Sequence, residues 1–324
     1  MELNVHFAYE PSPEALALLR EELPAEISTT FGSDLTSQGQ IDILVAGVPS
    51  RETLVSNPNL RTLIIPFAGL PRPTRELLAE FPQIAVHNLH HNAIATAETA
   101  FALLLASAKN IVPIDRRLRA DDWTSRMDGG GERRLSGSTA VILGFGSVGT
   151  ALARMCHGLE MKVIGVRRSK WRSQTPGLRA ADVAELSDVL PEADVLFLTV
   201  PMTPETTGLI GAAELRRLPD NAILINVARG PVVDEGALYE ELSSGRIRAG
   251  IDVWYCYPKG EKSISSTPPS NFPFRDLDNV VMSPHRGGHC EGIELARASA
   301  LVTLLTAVST EEIAINRVDL DRGY

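Results

Sequence analysis

Cysteine is scarce: Cys156, Cys256 and Cys290 are the only three in 324 residues, and no two form a CxxC pair. That spacing excludes a disulfide framework and a cysteine metal knuckle. Long apolar runs are missing too. None reaches the length that spans a bilayer, and residues 1–30 carry the charged stretch "PEALALLREEL" in place of a secretory pattern. Positive charge is in deficit, with 31 Lys and Arg against 40 Asp and Glu and a net charge of −9. That balance argues against a polyanion-binding surface. The chain therefore reads as a reduced, cytoplasmic protein with no nucleic-acid or membrane partner. What it does have is 44% hydrophobic and 22% charged residues, an ordinary globular composition long enough for two domains.

Short apolar strands alternate with helical segments almost throughout, which predicts an α/β chain with mostly parallel sheet. The strand candidates of the first part are "NVHFAY", "DILVAG", "RTLIIPF" and "IAVHN", with helices near 13–22 and 74–80. An apolar-periodic segment from Ala95 to Leu118 is too long for a simple crossover and is expected to carry the chain into a second domain. From residue 139 six strands follow, "TAVILG", "KVIGV", "DVLFLTV", "AILINV", "AGIDVW" and "NVVMS", spaced by helices at 148–159, 182–190 and 235–244. This pattern suits a doubly wound sheet. Residues 259–278 read as a surface loop and 291–308 as a final helix that returns to the first domain. The expected division is 1–98 with 292–324, and 99–291.

Gly144-Phe145-Gly146-Ser147-Val148-Gly149 is a GxGxxG between a strand and a helix, the context in which it binds a dinucleotide. The first glycine permits the tight turn, the second lets a pyrophosphate approach the backbone, and the third lets helix pack on strand. N–H groups at the helix start then meet the anion. The next strand ends in Arg167-Arg168-Ser169, with Lys170 and Arg172 behind, where an NAD-binding chain carries an acid. Guanidinium groups suit a 2′-phosphate, so the expected cofactor is NADP(H), with NAD(H) as the alternative.

Three more segments fall at strand ends: "INVARGPVVDEGAL" with Arg229, "GIDVW" with Asp252, and "VVMSPHRGGH" with His285. Hydride transfer to a 2-keto acid needs a cation for the carboxylate and an acid for the forming alkoxide. Arg suits the first and His the second. His285 and His289 are four apart, but the intervening glycines disfavour a helix and no Cys or carboxylate cluster completes a ligand set, so no metal is expected. His90, His91 and Asn92 precede the connecting segment and are expected at an interdomain cleft or in a plain exposed turn.

The stretches "RRLSGSTAVILGFGSVG", "ADVLFLTVPMTPETTGLIG", "NVARGPVVDEGAL" and "NVVMSPHRGG" closely resemble the D-isomer-specific 2-hydroxyacid dehydrogenase family, and "LRTLIIPFAG" and "NAIATAETAFALLLA" match it more loosely. The resemblance implies a Rossmann-type domain inserted into a flavodoxin-like substrate domain, and a homodimer. It implies that Arg229 binds the substrate carboxylate, that His285 donates and accepts the proton, and that Asp252 contacts the nicotinamide carboxamide. Phe67, Ala68 and Gly69 would offer backbone N–H groups to the substrate, beside His91 and Asn92. Val200, Pro201, Thr206, Val227, Ala228 and Gly287 would join the glycine loop around the cofactor.

One departure stands out. The family's glutamate before a proline, which pairs with the histidine, is replaced by Tyr257 before Pro258. Tyrosine can hydrogen-bond to an imidazole but brings no charge at neutral pH. The segment from Tyr257 to His285 is also longer than the family's spacing, and "PFAGLPRPT" lacks the usual glycine-rich turn, so Phe67 and Arg72 are expected to reshape the substrate end. The leading expectation is an NADP(H)-preferring oxidoreductase on a small 2-keto or 2-hydroxy acid. The competing readings are a dinucleotide sensor on the same scaffold, as in the family's corepressor branch, and a chemistry similar to its formate-oxidising branch.

Overall fold

A computed structural model describes residues 3–33, 40–127, 131–173, 175–310 and 315–324. The chain begins β1 (Leu3–Phe7), α1 (Pro13–Glu22), β2 (Ile27–Phe31), β3 (Ile43–Val45), α2 (Arg51–Val55), β4 (Thr62–Ile65), α3 (Arg72–Leu78) and β5 (Ala85–Asn88). It continues through α4 (Ala93–Ala108), α5 (Ile111–Leu118), β6 (Thr139–Leu143), α6 (Ser147–Gly158), β7 (Lys162–Arg167) and β8 (Leu178–Asp182). Next come α7 (Leu186–Val189), β9 (Val195–Leu198), α8 (Ala212–Arg217), β10 (Ile223–Asn226), α9 (Glu235–Ser243), β11 (Arg248–Ile251) and β12 (Val280–Met282), and α10 (Ile293–Ser309) follows.

Two compact units result, one of Met1–Asn92 with His289–Tyr324 and one of Ala93–Gly288. Unit 1 holds a five-stranded parallel sheet in the order β2-β1-β3-β4-β5, the flavodoxin-like order. Unit 2 holds seven parallel strands in the order β12-β11-β10-β9-β6-β7-β8, the Rossmann order with one strand added. A division at 98/99 would cut α4. The whole helix packs on α6, β10 and β11, so it belongs with unit 2 from Ala93 onward.

The central strands are runs of branched apolar residues because helices cover both faces. Val195, Leu196, Phe197 and Leu198 of β9 and Ile223, Leu224 and Ile225 of β10 are all 0% exposed. Two strands escape the sequence pattern, β2 ("ISTTF") and β8 ("LRAAD"), and each lies at the edge of its sheet. There one partner and partial cover suffice, so no apolar run is needed.

Helix starts follow local capping chemistry. Ser12 Oγ accepts the Ala15 N–H at 3.3 Å ahead of Pro13, and Asp234 Oδ1 accepts the Ala237 N–H at 2.8 Å. The apolar-periodic segment over 95–118 forms two helices. Asn110 takes a left-handed φ of 56°, and α4 and α5 meet there at 64°. No single helix among the described residues is long and apolar enough to cross a membrane. The edge of β5 is covered by the segment 315–318: Asn88 N donates to Asn316 O at 3.1 Å and Val318 N to Val86 O at 2.8 Å. Arg75 holds the residues after it by donating to Leu320 O and Asp321 O at 2.9 and 2.6 Å.

Candidate active site

The glycine loop turns out of β6 into α6 as its spacing requires. Gly144 has φ +102°, and a Cβ there would stand 2.6 Å from Val200 N and 2.7 Å from Thr199 C. Only glycine permits both the turn and this approach to the end of β9. A Cβ on Gly149 would stand 2.9 Å from Gly144 O, so the third glycine brings α6 against the turn. Gly146 is different: nothing lies within 4 Å of its Cβ position. The middle glycine thus keeps a space clear at the start of α6, beside Ser147 and Val148, where helix N–H groups favour an anion. This geometry fits a dinucleotide pyrophosphate. Thr199 Oγ1 donates to Gly144 O at 2.7 Å, and Thr206 Oγ1 donates to Pro201 O at 2.7 Å while accepting the Thr203 N–H at 2.8 Å. The Val200–Thr206 turn is therefore fixed next to the glycine loop.

At the end of β7, Arg167 Nε donates to Phe145 O at 2.8 Å and its guanidinium lies 4.4 Å from the Trp171 ring centre. Trp171 stacks in turn on Phe145 at 5.0 Å. Trp171 is a residue that the sequence reading passed over. Arg167 is pinned to the glycine loop, with its Nη nitrogens lacking a hydrogen-bond partner among the described residues. Arg168 and Ser169 follow at the exposed turn.

Arg229, Asp252 and His285 follow β10, β11 and β12, three neighbouring strands. Asn226 holds the first of these ends, accepting the Ala228 N–H at 3.0 Å and donating to Arg229 O at 3.1 Å. Val227 and Ala228 are buried there. A Cβ on Gly230 would lie 2.3 Å from Trp254 O, so the Arg229 loop and the segment after Asp252 are in backbone contact.

Asp252 is 1% exposed and its carboxylate organises the last loop. Oδ1 accepts Ser283 Oγ–H and the Arg286 N–H, Oδ2 accepts the Gly287 N–H at 2.8 Å, and the Asp252 carbonyl accepts the His285 N–H at 2.7 Å. These bonds hold His285 at φ 58°, a left-handed value uncommon for a residue with a side chain. The carboxylate expected to face the nicotinamide is thus first a positioning group for the histidine. Ser283 and Trp254, whose Nε1 donates to Ser283 O at 2.8 Å, complete the support, and Ser283 was not singled out from sequence.

Tyr257 stands against His285, with ring centres 5.6 Å apart and planes at 56°. Its hydroxyl accepts the Trp254 N–H at 3.0 Å, which leaves the phenolic proton to donate. Burial raises the phenol above its ordinary range, opposed by the Trp254 bond and the Arg229 charge. The hydroxyl is therefore neutral at physiological pH.

The 259–278 segment departs from the surface loop expected. Its second half is anchored, with Tyr255 N and Cys256 N donating to Pro269 O at 3.1 and 2.9 Å. Ser270 and Asn271 bind Glu235, and Phe274 is 1% exposed beneath Trp254. Alternating serines and prolines hid the aromatic anchor.

In unit 1, Phe67, Ala68 and Gly69 follow β4. Asn88 Nδ2 donates to Ala68 O at 2.7 Å and Leu89 N to Phe67 O at 3.4 Å, so the loop is held by its carbonyls. The Phe67 ring covers Gly47, where a Cβ would lie 2.8 Å from it. Arg72 pairs with Glu76 on the surface at 2.7 Å. His91 and Asn92 follow β5, and burial, with Arg297 and His90 adding to it, pushes His91 down to about 4.

Residues 101–287 match the model of the D-isomer specific 2-hydroxyacid dehydrogenase NAD-binding domain. A D-3-phosphoglycerate dehydrogenase of Archaeoglobus fulgidus is 34% identical over 271 residues, 82% of this chain and 47% of that protein, so the chain spans about half the length of that relative. A glyoxylate/hydroxypyruvate reductase B of Pectobacterium carotovorum is 33% identical over 301 residues, covering 92% of this chain and 90% of the relative. Among solved structures, a D-isomer specific 2-hydroxyacid dehydrogenase from Xanthobacter autotrophicus in complex with NADPH and MES aligns over 100% of both chains, with a TM-score of 0.81 and 26% identity. With its paired flavodoxin-like and Rossmann sheets, its glycine loop and its Arg229–Asp252–His285 strand ends, the chain belongs to the D-isomer specific 2-hydroxyacid dehydrogenase family.

Proposed function

We propose that this protein is an NADP(H)-preferring oxidoreductase that moves a hydride between the nicotinamide and a small 2-keto or 2-hydroxy acid. The observation that carries the reading is Arg229 and His285 at the ends of β10 and β12, on either side of β11, in the sheet that also bears Gly144, Gly146 and Gly149. Ser147, Val148 and the turn from Arg167 to Ser169 hold the phosphates. Val200, Pro201, Thr206, Val227, Ala228, Asp252 and Gly287 frame the rest of the dinucleotide. When bound, NADPH supplies the hydride. Arg229 binds the carboxylate and polarises the keto oxygen, and His285 gives that oxygen its proton as the alkoxide forms. Tyr257 walls the imidazole and presents a neutral hydroxyl. Phe67, Ala68, Gly69, His91 and Asn92 are the substrate residues of unit 1. The NADPH-bound relative supports the cofactor preference, and the reductase relative supports the substrate class.

A homodimer in the cytoplasm completes the proposal. Its support is the apolar surface around α5, where Ile111, Leu118, Trp123 and Met127 are exposed at 52%, 46%, 63% and 81%. A second reading, a dinucleotide sensor with little turnover, is favoured by Tyr257 at the family's glutamate position. A panel of 2-keto acids assayed with NADPH and NADH separates the two. Reduction that is faster with NADPH supports the enzyme. Tight NADPH binding with no reduction of any acid supports the sensor.

A further inference from the structure

Arg167 and the two rings against it form a stack at the glycine-loop edge of unit 2, and the stack begins with a glycine. A Cβ on Gly165 of β7 would stand 2.6 Å from the Phe145 ring and 3.0 Å from the Trp171 ring, so the strand itself leaves room for the pair. Phe145 lies inside the glycine loop after β6, and Trp171 Nε1 donates to Ala181 O of the edge strand β8 at 3.0 Å. Trp171 is thus tied to β8 on one side of β7, while its ring lies on a residue from the other side, with centres 5.0 Å apart and planes at 23°. Arg167 completes the stack. Its guanidinium carbon lies 4.4 Å from the Trp171 centre and 5.8 Å from that of Phe145, and Nε donates to Phe145 O at 2.8 Å.

Two constraints therefore act on one guanidinium. The Nε bond sets its position, the indole face restrains its plane, and the Nη nitrogens remain to donate. An arginine without them would lose its rotamer freedom only on meeting a ligand, which weakens binding. It would also have an acid to turn to. Asp182 stands opposite Arg167 in the β7–β8 register, yet its carboxylate serves the backbone: Oδ1 accepts the Ala184 N–H at 2.9 Å, inside a capping box with Glu185. Arg167 is turned to Phe145 O instead. The end of this second Rossmann strand is where the adenosine ribose lies, and an arginine there accommodates a 2′-phosphate. A planar fork held ready suits that phosphate, while a ribose hydroxyl gains little from it.

We propose that Trp171 is a positioning residue that makes the protein selective for 2′-phosphorylated dinucleotides, by holding Arg167 stacked and away from Asp182. This rests on the NADP(H) preference proposed above and names the residue that sets it. Isothermal titration of the full chain with NADPH, NADH and 2′,5′-ADP tests it. Trp171→Leu should weaken NADPH and 2′,5′-ADP by roughly three- to thirtyfold, the range of a cation–π contact, and NADH by less than about twofold. Trp171→Phe keeps a ring against the guanidinium but loses the bond to Ala181 O, so its NADPH-to-NADH ratio should fall between the two. A ring that only packs would move both dinucleotides together, or neither. In an Arg167→Met background, Trp171→Leu should cost no further NADPH affinity, because Trp171 acts through the arginine. If Trp171→Leu fails to fold, the ratio in Trp171→Phe decides the matter. A ratio unmoved in the folded variant, or a further loss in the Arg167→Met background, would overturn the role of Trp171 and leave the NADP(H) preference intact. Wild-type protein that binds NADH as tightly as NADPH would overturn both.

Discussion

At the switch point of the seven-stranded sheet, glycines keep side chains out: Gly144 admits the end of β9 and Gly146 leaves open space above α6. At the switch point of the five-stranded sheet, the edge is filled by side chains, with Tyr9 after β1 and the Phe67 ring laid over Gly47. The first surface is built to meet a ligand with backbone N–H groups, which any residue of the right conformation supplies. The second is lined by side chains, whose chemistry changes with every substitution.

That contrast can be broken most severely at the charged end of the unit 2 site. Arg229→Ala should lower kcat/KM for 2-keto acids by about 3 kcal/mol, roughly two orders of magnitude, by leaving the substrate carboxylate without its cation. Wild-type-like steady-state kinetics would remove Arg229 from the site. The two kinds of glycine can be separated next. Gly144→Ala should destabilise the fold by roughly 2–4 kcal/mol through its positive φ and the clash with Val200. Gly146→Ala should unfold at the wild-type denaturant midpoint yet bind NADPH at least about tenfold more weakly, as a lost hydrogen bond to phosphate does. Equal losses of stability in both variants would contradict the division of roles.

Two smaller effects sharpen the comparison. Tyr257→Glu sets a carboxylate against the His285 ring and should favour the protonated imidazole. The basic limb of the pH–rate profile for keto-acid reduction should then move up by about one unit, equivalent to about 1.4 kcal/mol. An unmoved profile would show that Tyr257 only packs. The smallest effect concerns His91, held at about 4 against an ordinary 6.5. The unfolded chain binds that proton first as pH falls, so stability should decline from pH 6.5 down to about 4. His91→Gln should flatten the decline, as read by thermal unfolding at several pH values.

The legibility of the sequence follows the same line. The GxGxxG, the strand ends at Arg229, Asp252 and His285, and the doubly wound order were readable because backbone conformation and burial constrain residue type at each place. Edge strands β2 and β8 were not, since an edge needs no apolar run. The support of His285 by Ser283 and Trp254 was hidden because hydroxyls and indoles occur everywhere, and only folding brings residues 252, 254 and 283 together.

The short pairing of residues 315–318 with β5 bears on how this protein behaves at high concentration. A bare β5 edge would display a row of N–H and C=O groups flanked by Val86 and His87, a template for strand addition by another molecule. With the segment in place, and Arg75 gripping the carbonyls of Leu320 and Asp321, that template is occupied by the chain itself. Deleting residues 315–324 would therefore cost solubility before it cost catalysis, and the loss would show as edge-to-edge aggregation rather than as unfolding.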